Sequence, residues 1–430
     1  MGRVRMLFTG PMFLYTEWFQ IAPSALDEPV LRELNGMTVF ASQQPVFPDH
    51  IGGHSLPNCS RGLLLACIVM CVALGTSAVC ADPGLAIPER MLPGEFEDQA
   101  AILIGWHAKD PIIRQVLISL AKSASTNVRV IVLADDALEQ RDAQQALRLS
   151  GIASERIRVL LIPCDTIWVR DYGPITVTTR GGRAQIIDLE YAGKRRQNDD
   201  RVPRRMAQRL KMPAIPAGLS LEGGNVLSNG RGSLLITSRI LDQNFSRGLG
   251  YRGVKQRLQA LYGCRSPILL EPLQGEPTGH IDMFATFINA RTIVIGAFDQ
   301  RQDPVNAKLL DRNAERLSAA GFRVVRMPMP DHGDGHWRSY TNVVFANGKL
   351  LVPTYASIDV MGRKRALNIY RELLPGWSIV PIDCTEVIQL GGALHCLSMN
   401  LAVLNADSLW GRVPARTAEP AGMPRGRKRR

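Results

Sequence analysis

Short β-rich runs that end in proline recur along this chain at nearly constant spacing, and no other feature narrows its fold as far. VLLIP ends at Pro163, MPAIP at Pro216, ILLEP at Pro272, VVRMP at Pro328 and SIVP at Pro381, at intervals of 53, 56, 56 and 53 residues. A fixed period of this size marks repeats that are each too small to bury an apolar face alone. Five units of about 55 residues predict a radial array of five similar blades. Further strand patterns lie between the prolines: IIDLEY, SLLITS, TIVIGA and NVVFANGKLLVP. Asn347-Gly348 separates two alternating runs and predicts a tight hairpin. DPVNAKLLDRNAERLSAAG sets Val305, Leu309, Leu310 and Leu317 at helical spacing and stops at Gly321. The units therefore read as α/β, strands plus one helix, and not as all-β blades.

The repeat defines a domain over about 90–405, and its flanks differ from it. Residues 1–60 hold Pro and Gly clusters without periodicity and read as a disordered or non-native extension. Arg61 then precedes GLLLACIVMCVALGTSAVCAD, an apolar run that ends in small residues. Residues 61–81 have the build of a signal peptide cleaved after Ala81, or of a membrane anchor. A signal normally opens a chain, so translation is expected to begin nearer Arg61. The protein is expected to be exported, periplasmic or secreted, and cytoplasmic if the segment is not a signal. At the other end, 406–430 read as a disordered basic tail. From Arg412 onward there are seven basic residues against one acidic, about half of the net charge of +12. That excess belongs to a solvated tail, so no nucleic-acid partner is expected and membrane contact is expected only through the N-terminal segment. The eight cysteines show no CxxC spacing, which argues against a zinc site or a dense disulfide framework.

Chemistry-bearing residues follow each proline. After Pro163 comes DTIWVRDYGP, with Trp168, Arg170 and Asp171; after Pro216 comes SLEGGNVL, with Glu222 and Asn225. TGHIDMF supplies His280 and Asp282, SYTNVVF supplies Asn342, and LGGALHCLSMN supplies Cys396 behind Gly391 and Gly392. Each has a plain structural alternative. Asp171 could pair with Arg170, Glu222 could cap a turn, and His280 and Asn342 could satisfy buried backbone. In GHID one residue separates His280 from Asp282, so on a strand both face the same way. HGDGH (His332, Asp334, His336) has metal-like spacing, but its glycines suggest a loop and no metal site is expected there.

A radial fold would bring these five loops together around a thiol. Carboxylates beside a thiol normally oppose its ionisation, and they make sense if the substrate is a cation. A planar guanidinium offers fork-shaped donors that match carboxylates. Asp171 and Asp282 would hold it, Cys396 would attack its carbon, and His280 would protonate the departing ammonia and then activate water.

WVRDYGP, LEGGNVL, TGHID, SYTN and GGALHC, in this order, together resemble the agmatine deiminase and Porphyromonas-type peptidylarginine deiminase family. PGEFEDQAAILIGWH at Pro93–His107 is similar to that family's opening motif. The resemblance implies a pentein fold, a five-bladed α/β propeller with pseudo-five-fold repeats, and a deiminase catalytic domain. It implies Cys396 as nucleophile, His280 as acid/base, Asp171 and Asp282 as guanidinium ligands, and Trp168, Glu222 and Asn342 around the substrate. No metal or organic cofactor is implied. The partner is a small guanidino substrate or an arginyl peptide, and a homo-oligomer is compatible with the sequence. GGALHC and PTGHIDM depart from the agmatine deiminase patterns GGGNIHC and TDGHxDN, which favours the broader peptidylarginine branch. In that branch arginines after the first acid motif bind a substrate carboxylate, and YAGKRRQNDD offers Lys194, Arg195 and Arg196. Amidino transfer and non-catalytic guanidine binding are the two other classes this residue set permits.

Overall fold

In the computed structural model, residues 89–107, 109–191, 196–355, 358–405 and 407–410 are described. They lie in the second of the two compact units into which the chain divides, Gly84–Arg430. The segments expected as extension and signal, the basic tail beyond Trp410, and Lys194 and Arg195 lie outside the described residues; Asp407–Trp410, at the start of the segment expected as a disordered tail, form a short helix with Leu409 buried.

The elements run as follows. β1 (Arg90–Met91), β2 (Ala101–Gly105), α1 (Pro111–Ser125), β3 (Arg129–Ala134), α2 (Ala137–Leu149) and β4 (Ile157–Leu161) open the unit. Next come α3 (Val169–Tyr172), β5 (Ile175–Thr179), β6 (Ala184–Glu190), α4 (Gln197–Leu210) and β7 (Ala214–Ser220). β8 (Leu227–Ser228), β9 (Ser233–Thr237), α5 (Arg239–Phe245), α6 (Tyr251–Tyr262) and β10 (Ser266–Leu270) follow. Then β11 (Ala285–Asn289), β12 (Thr292–Ala297), α7 (Pro304–Ala319) and β13 (Arg323–Pro328) lead to β14 (Val344–Phe345). β15 (Lys349–Thr354), α8 (Val360–Leu373), β16 (Ser378–Asp383) and β17 (Ser398–Leu401) complete the sheets.

The described strands form five sheets with a common plan: β1-β5-β6-β7, β10-β9-β8, β11-β12-β13, β14-β15-β16 and β17-β2-β3-β4. In each, a first strand pairs antiparallel with a second, which pairs parallel with a third after a helical crossover. A parallel pair needs such a crossover, which is why helical periodicity sits between strand patterns in the sequence. The expectation of one helix per unit is too simple, because α5 and α6 share one crossover and β4 adds a second crossover, through α2. Pro216, Pro328 and Pro381 lie in the outer third strand of their sheets, Pro272 lies just after the third strand of its own, and Pro163 just after β4, the fourth and outermost strand of its sheet. An edge strand tolerates a residue with no N–H to donate. The repeating proline is thus the signature of the outermost strand.

The inner strands are buried on both faces: all five residues of β2 and five of the six of β3 and of β12 are buried. Helices cover them with one apolar stripe each, as α7 does with Ala307, Leu310, Ala314 and Leu317. That helix starts where its sequence says, with Asp303 accepting from the Asn306 amide at 2.9 Å and Pro304 in its first turn. The hairpin at Asn347-Gly348 is present, with φ of 45° and 87°.

Candidate active site

Each sheet presents its functional residues in the same place, the segment that leads into its first strand. Asp171 precedes β5, Glu222 precedes β8, His280 and Asp282 precede β11, Asn342 precedes β14 and Cys396 precedes β17. The GHID stretch is not the strand expected from its spacing. Ile281–Met283 form a single 3-10 turn with His280 at its N-terminal end. His280 and Asp282 therefore face different partners, because a turn of this kind does not place alternate residues on one side.

His280 is buried between two acids. Its Nε2 lies 2.7 Å from Glu222 Oε2, and its Nδ1 lies 3.5 Å from Asp171 Oδ1. Burial opposes the imidazolium charge, but Asp171 and Glu222 outweigh it and hold the group up to about 10. Burial also works against the Glu222 charge, yet its bond to His280 keeps it below the usual carboxylate range. Asp171 goes the other way: burial lifts it to about 7, with Glu222 and Asp282 adding to the rise and His280 countering it. Gly224 makes the cluster sterically possible. A β-carbon there would stand 2.5 Å from His280 Nδ1 and 2.9 Å from Asp171 Oδ1.

Cys396 forms the second half of the site. Its Sγ accepts from Asn342 Nδ2 at 3.3 Å and lies 3.8 Å from Asp282 Oδ2. Burial, then Asp282 and Asp171, push the thiol well above its ordinary value. Gly391 takes a left-handed φ of 101°. Gly392 is instead a point of close approach: a β-carbon would lie 2.6 Å from the Trp168 ring and 3.0 Å from Cys396 Cβ. The half-buried Trp168 ring thus packs beside the thiol. Its loop is tied to α4 by buried Asp199, which accepts from Asp165 N at 2.6 Å and Thr166 Oγ1 at 2.9 Å.

The halves meet through Asp171 and Asp282, whose charges act on both His280 and Cys396. Asp282 Oδ1 and Asp171 Oδ1 are buried and have no hydrogen-bond partner. A buried carboxylate oxygen with no donor is costly, and a guanidinium would supply the missing N–H groups.

The plain alternatives fall away for Asp171 and Glu222. Arg170 turns its guanidinium to Glu95 Oε1 at 2.5 Å, and Glu222 makes no capping bond. Asn342 plays both parts, donating to the thiol and accepting from the buried His395 amide at 3.0 Å. Asn225 does serve the backbone, accepting from Thr237 N at 2.9 Å. HGDGH gathers no metal-like cluster: His332 bonds Asp303 and stacks on Trp337 at 3.9 Å, while Asp334 pairs with Arg338. Among the described residues one group, His107, Asp135 and Glu139, brings ligand atoms within 4.8 Å of one another. These side chains are half-exposed, and acidic groups commonly gather so without an ion. Arg196 bonds the Tyr191 hydroxyl and lies over its ring.

Sequence reasoning missed two members of the site, His395 and Glu95. His395 Nδ1 lies 2.7 Å from Asp282 Oδ2, and its Nε2 lies 2.9 Å from Glu95 Oε2. The signal was present in the neighbour of Cys396 and in the PGEFED opening, but nothing in the residue order links positions 300 apart.

The model of the Porphyromonas-type peptidyl-arginine deiminase family matches residues 91–401. The chain belongs to this family. A Yersinia pseudotuberculosis protein assigned as an agmatine deiminase is 21% identical over 348 residues, covering 72% of this chain and 94% of its own. The structure of Campylobacter jejuni agmatine deiminase superposes with a TM-score of 0.63 at 22% identity, over 73% of this chain and 96% of that one. A Porphyromonas gingivalis structure assigned as an arginine deiminase gives a TM-score of 0.63 at 26% identity, over 73% and 98%. The fold is therefore the pentein α/β fold of these deiminases, the fold that the resemblance of the motifs implied.

Proposed function

We propose that this protein is a guanidine iminohydrolase, converting an arginine-like guanidine and water to a ureido group and ammonia. Membership of the deiminase family supports the reaction class. The observation that carries it is the pair of acids, half-buried Asp171 and buried Asp282, each with a buried oxygen that has no hydrogen-bond partner, beside Cys396 and His280.

In this mechanism the guanidinium binds between the two carboxylates, and its charge offsets the acids that keep the thiol protonated. As the cation binds, the Cys396 proton passes to solvent, and the thiolate adds to the guanidinium carbon, giving a tetrahedral adduct. His280, charged at neutral pH, donates its proton to the departing nitrogen, which leaves as ammonia. An S-linked thiouronium remains on Cys396. Neutral His280 then takes a proton from water as its oxygen adds to the same carbon. Collapse breaks the carbon–sulfur bond and frees the ureido product. Asn342 donates to the sulfur when it is an anion, and Trp168 walls the plane of the substrate.

The substrate is agmatine or an arginine, free or at the end of a peptide. The position of Arg195 in the loop after the first acid motif supports an arginyl substrate, whose carboxylate it would meet. The test is ammonia release from agmatine, arginine and arginyl peptides by the wild-type protein and Cys396→Ala. Ureido product with at least one guanidine, lost in the variant, is expected. No turnover of any guanidine would sink the reading, and amidinated product from an added amine would convert it to amidino transfer.

A further inference from the structure

Behind Asp282 stands an ionic chain that the reaction above does not use: buried Arg170, half-buried Glu95 and buried His395. We propose that His395 is a positioning residue for this reaction, standing as an imidazolium between Glu95 and Asp282. It engages one oxygen of Asp282 and leaves the other for the guanidinium. The inference rests on the guanidine reading of the site.

The protons are fixed by the partners. His395 Nδ1 meets Asp282 Oδ2 and Nε2 meets Glu95 Oε2, both carboxylate oxygens. An ionised carboxylate only accepts, so both ring nitrogens must carry hydrogen. Arg170 favours the ionised form of Glu95, its Nη1 forming an ion pair with the other carboxylate oxygen at 2.5 Å. Charge then alternates along the chain, Arg170 positive, Glu95 negative, His395 positive, Asp282 negative. A buried ion is tolerated only when so paired. Consistently, burial opposes the charge of both middle members, while their neighbours keep Glu95 down at about 2 and His395 above its ordinary value.

The consequence for Asp282 is an asymmetry. Asn342 Nδ2 lies 3.3 Å from the same Oδ2 that His395 engages. Two donors on one oxygen fix the rotation of the carboxyl group, and Oδ1 is left buried without a partner. His395 is held in turn by its own amide, which donates to Asn342 Oδ1 at 3.0 Å, and by its carbonyl, which accepts from Arg170 Nε at 3.2 Å. It is also the residue before Cys396. The ring that sets the acid and the sulfur that attacks thus share one stretch of backbone.

The test compares His395→Asn, His395→Gln and Glu95→Gln with the wild-type protein on agmatine and arginine, with thermal unfolding as a check of folding. The asparagine amide falls near Nδ1 and keeps a donor to Asp282, whereas the glutamine amide falls near Nε2 and loses it. Losing a charge-assisted bond to the acid that binds the substrate is expected to raise KM by roughly 10- to 100-fold in His395→Gln. The change in kcat is expected to be smaller, and His395→Asn should recover most of the KM loss. A residue that merely fills space would give the same KM in both variants, and that equality overturns the proposal. Should His395→Gln fail to fold, Glu95→Gln decides: a raised KM supports the chain and an unchanged KM overturns it. A wild-type protein that releases ammonia from no guanidine refutes the functional reading instead.

Discussion

Gly224→Ala is the sharpest single probe of the cluster around His280, because the change adds one methyl group and removes no functional atom. The added β-carbon would stand 2.5 Å from His280 Nδ1 and 2.9 Å from Asp171 Oδ1. Carbon and nitrogen ordinarily rest at about 3.5 Å, so the ring or the backbone must give way by about 1 Å. His280 has little room to yield, being buried and held by Glu222 at 2.7 Å. Overpacking of this kind costs about 1–3 kcal/mol of stability. Misplacing a catalytic group by about 1 Å costs on the order of 100-fold in rate. Steady-state kcat/KM on the best guanidine, alongside the thermal midpoint, measures both. Activity should fall by far more than the loss of folded protein explains. A variant within about threefold of the wild-type kcat/KM would refute the geometry, since no active His280 could coexist with that methyl group.

The pH profile of kcat/KM should be a bell. Asp171, raised to about 7, must lose its proton to hold the guanidinium, so activity climbs as pH rises through that value. His280, held up to about 10, must keep its proton to release ammonia, so activity falls as pH passes it; a flat profile from 6 to 10 contradicts both assignments. Asp282→Asn removes one charge-assisted contact and should raise KM by roughly 10- to 150-fold, corresponding to about 1.5–3 kcal/mol. A haloacetamidine, which carries the cationic head and a leaving group, should label Cys396 in preference to the buried Cys164, Cys264 and Cys384. Mass mapping that finds the label elsewhere counts against Cys396 as the nucleophile.

Much of the architecture was legible because its cause is local. Proline cannot donate a backbone hydrogen bond, so three edge strands announced themselves by a proline within them and two more by a proline just past their ends. The apolar spacing of DPVNAKLLDRNAERLSAAG marked a helix, and Asn347-Gly348 marked a hairpin, for equally local reasons. The site was legible residue by residue but not pair by pair. GHID looked like a strand because alternation is all that a four-residue window offers. In the fold it is a turn, with His280 meeting Glu222 and Asp171 while Asp282 lies beside Cys396. Arg170 beside Asp171 suggested a pair, yet the guanidinium turned to Glu95, seventy-five positions away in the chain. His395 next to the thiol carried no visible role until its two carboxylate partners came from positions 113 and 300 residues away in the chain.

The prolines of the outer strands bear on how such a chain avoids going wrong. Five units with the same strand plan, joined in one polypeptide, invite each unit to accept a strand from the wrong neighbour or from another molecule. A ring nitrogen in the exposed rim takes away a donor that such a guest would need. Replacing Pro328 or Pro381 by valine would therefore leave the finished active site alone and act earlier, by letting half-made units zip together. The yield of refolded monomer, more than the turnover of the survivors, is where that change would register.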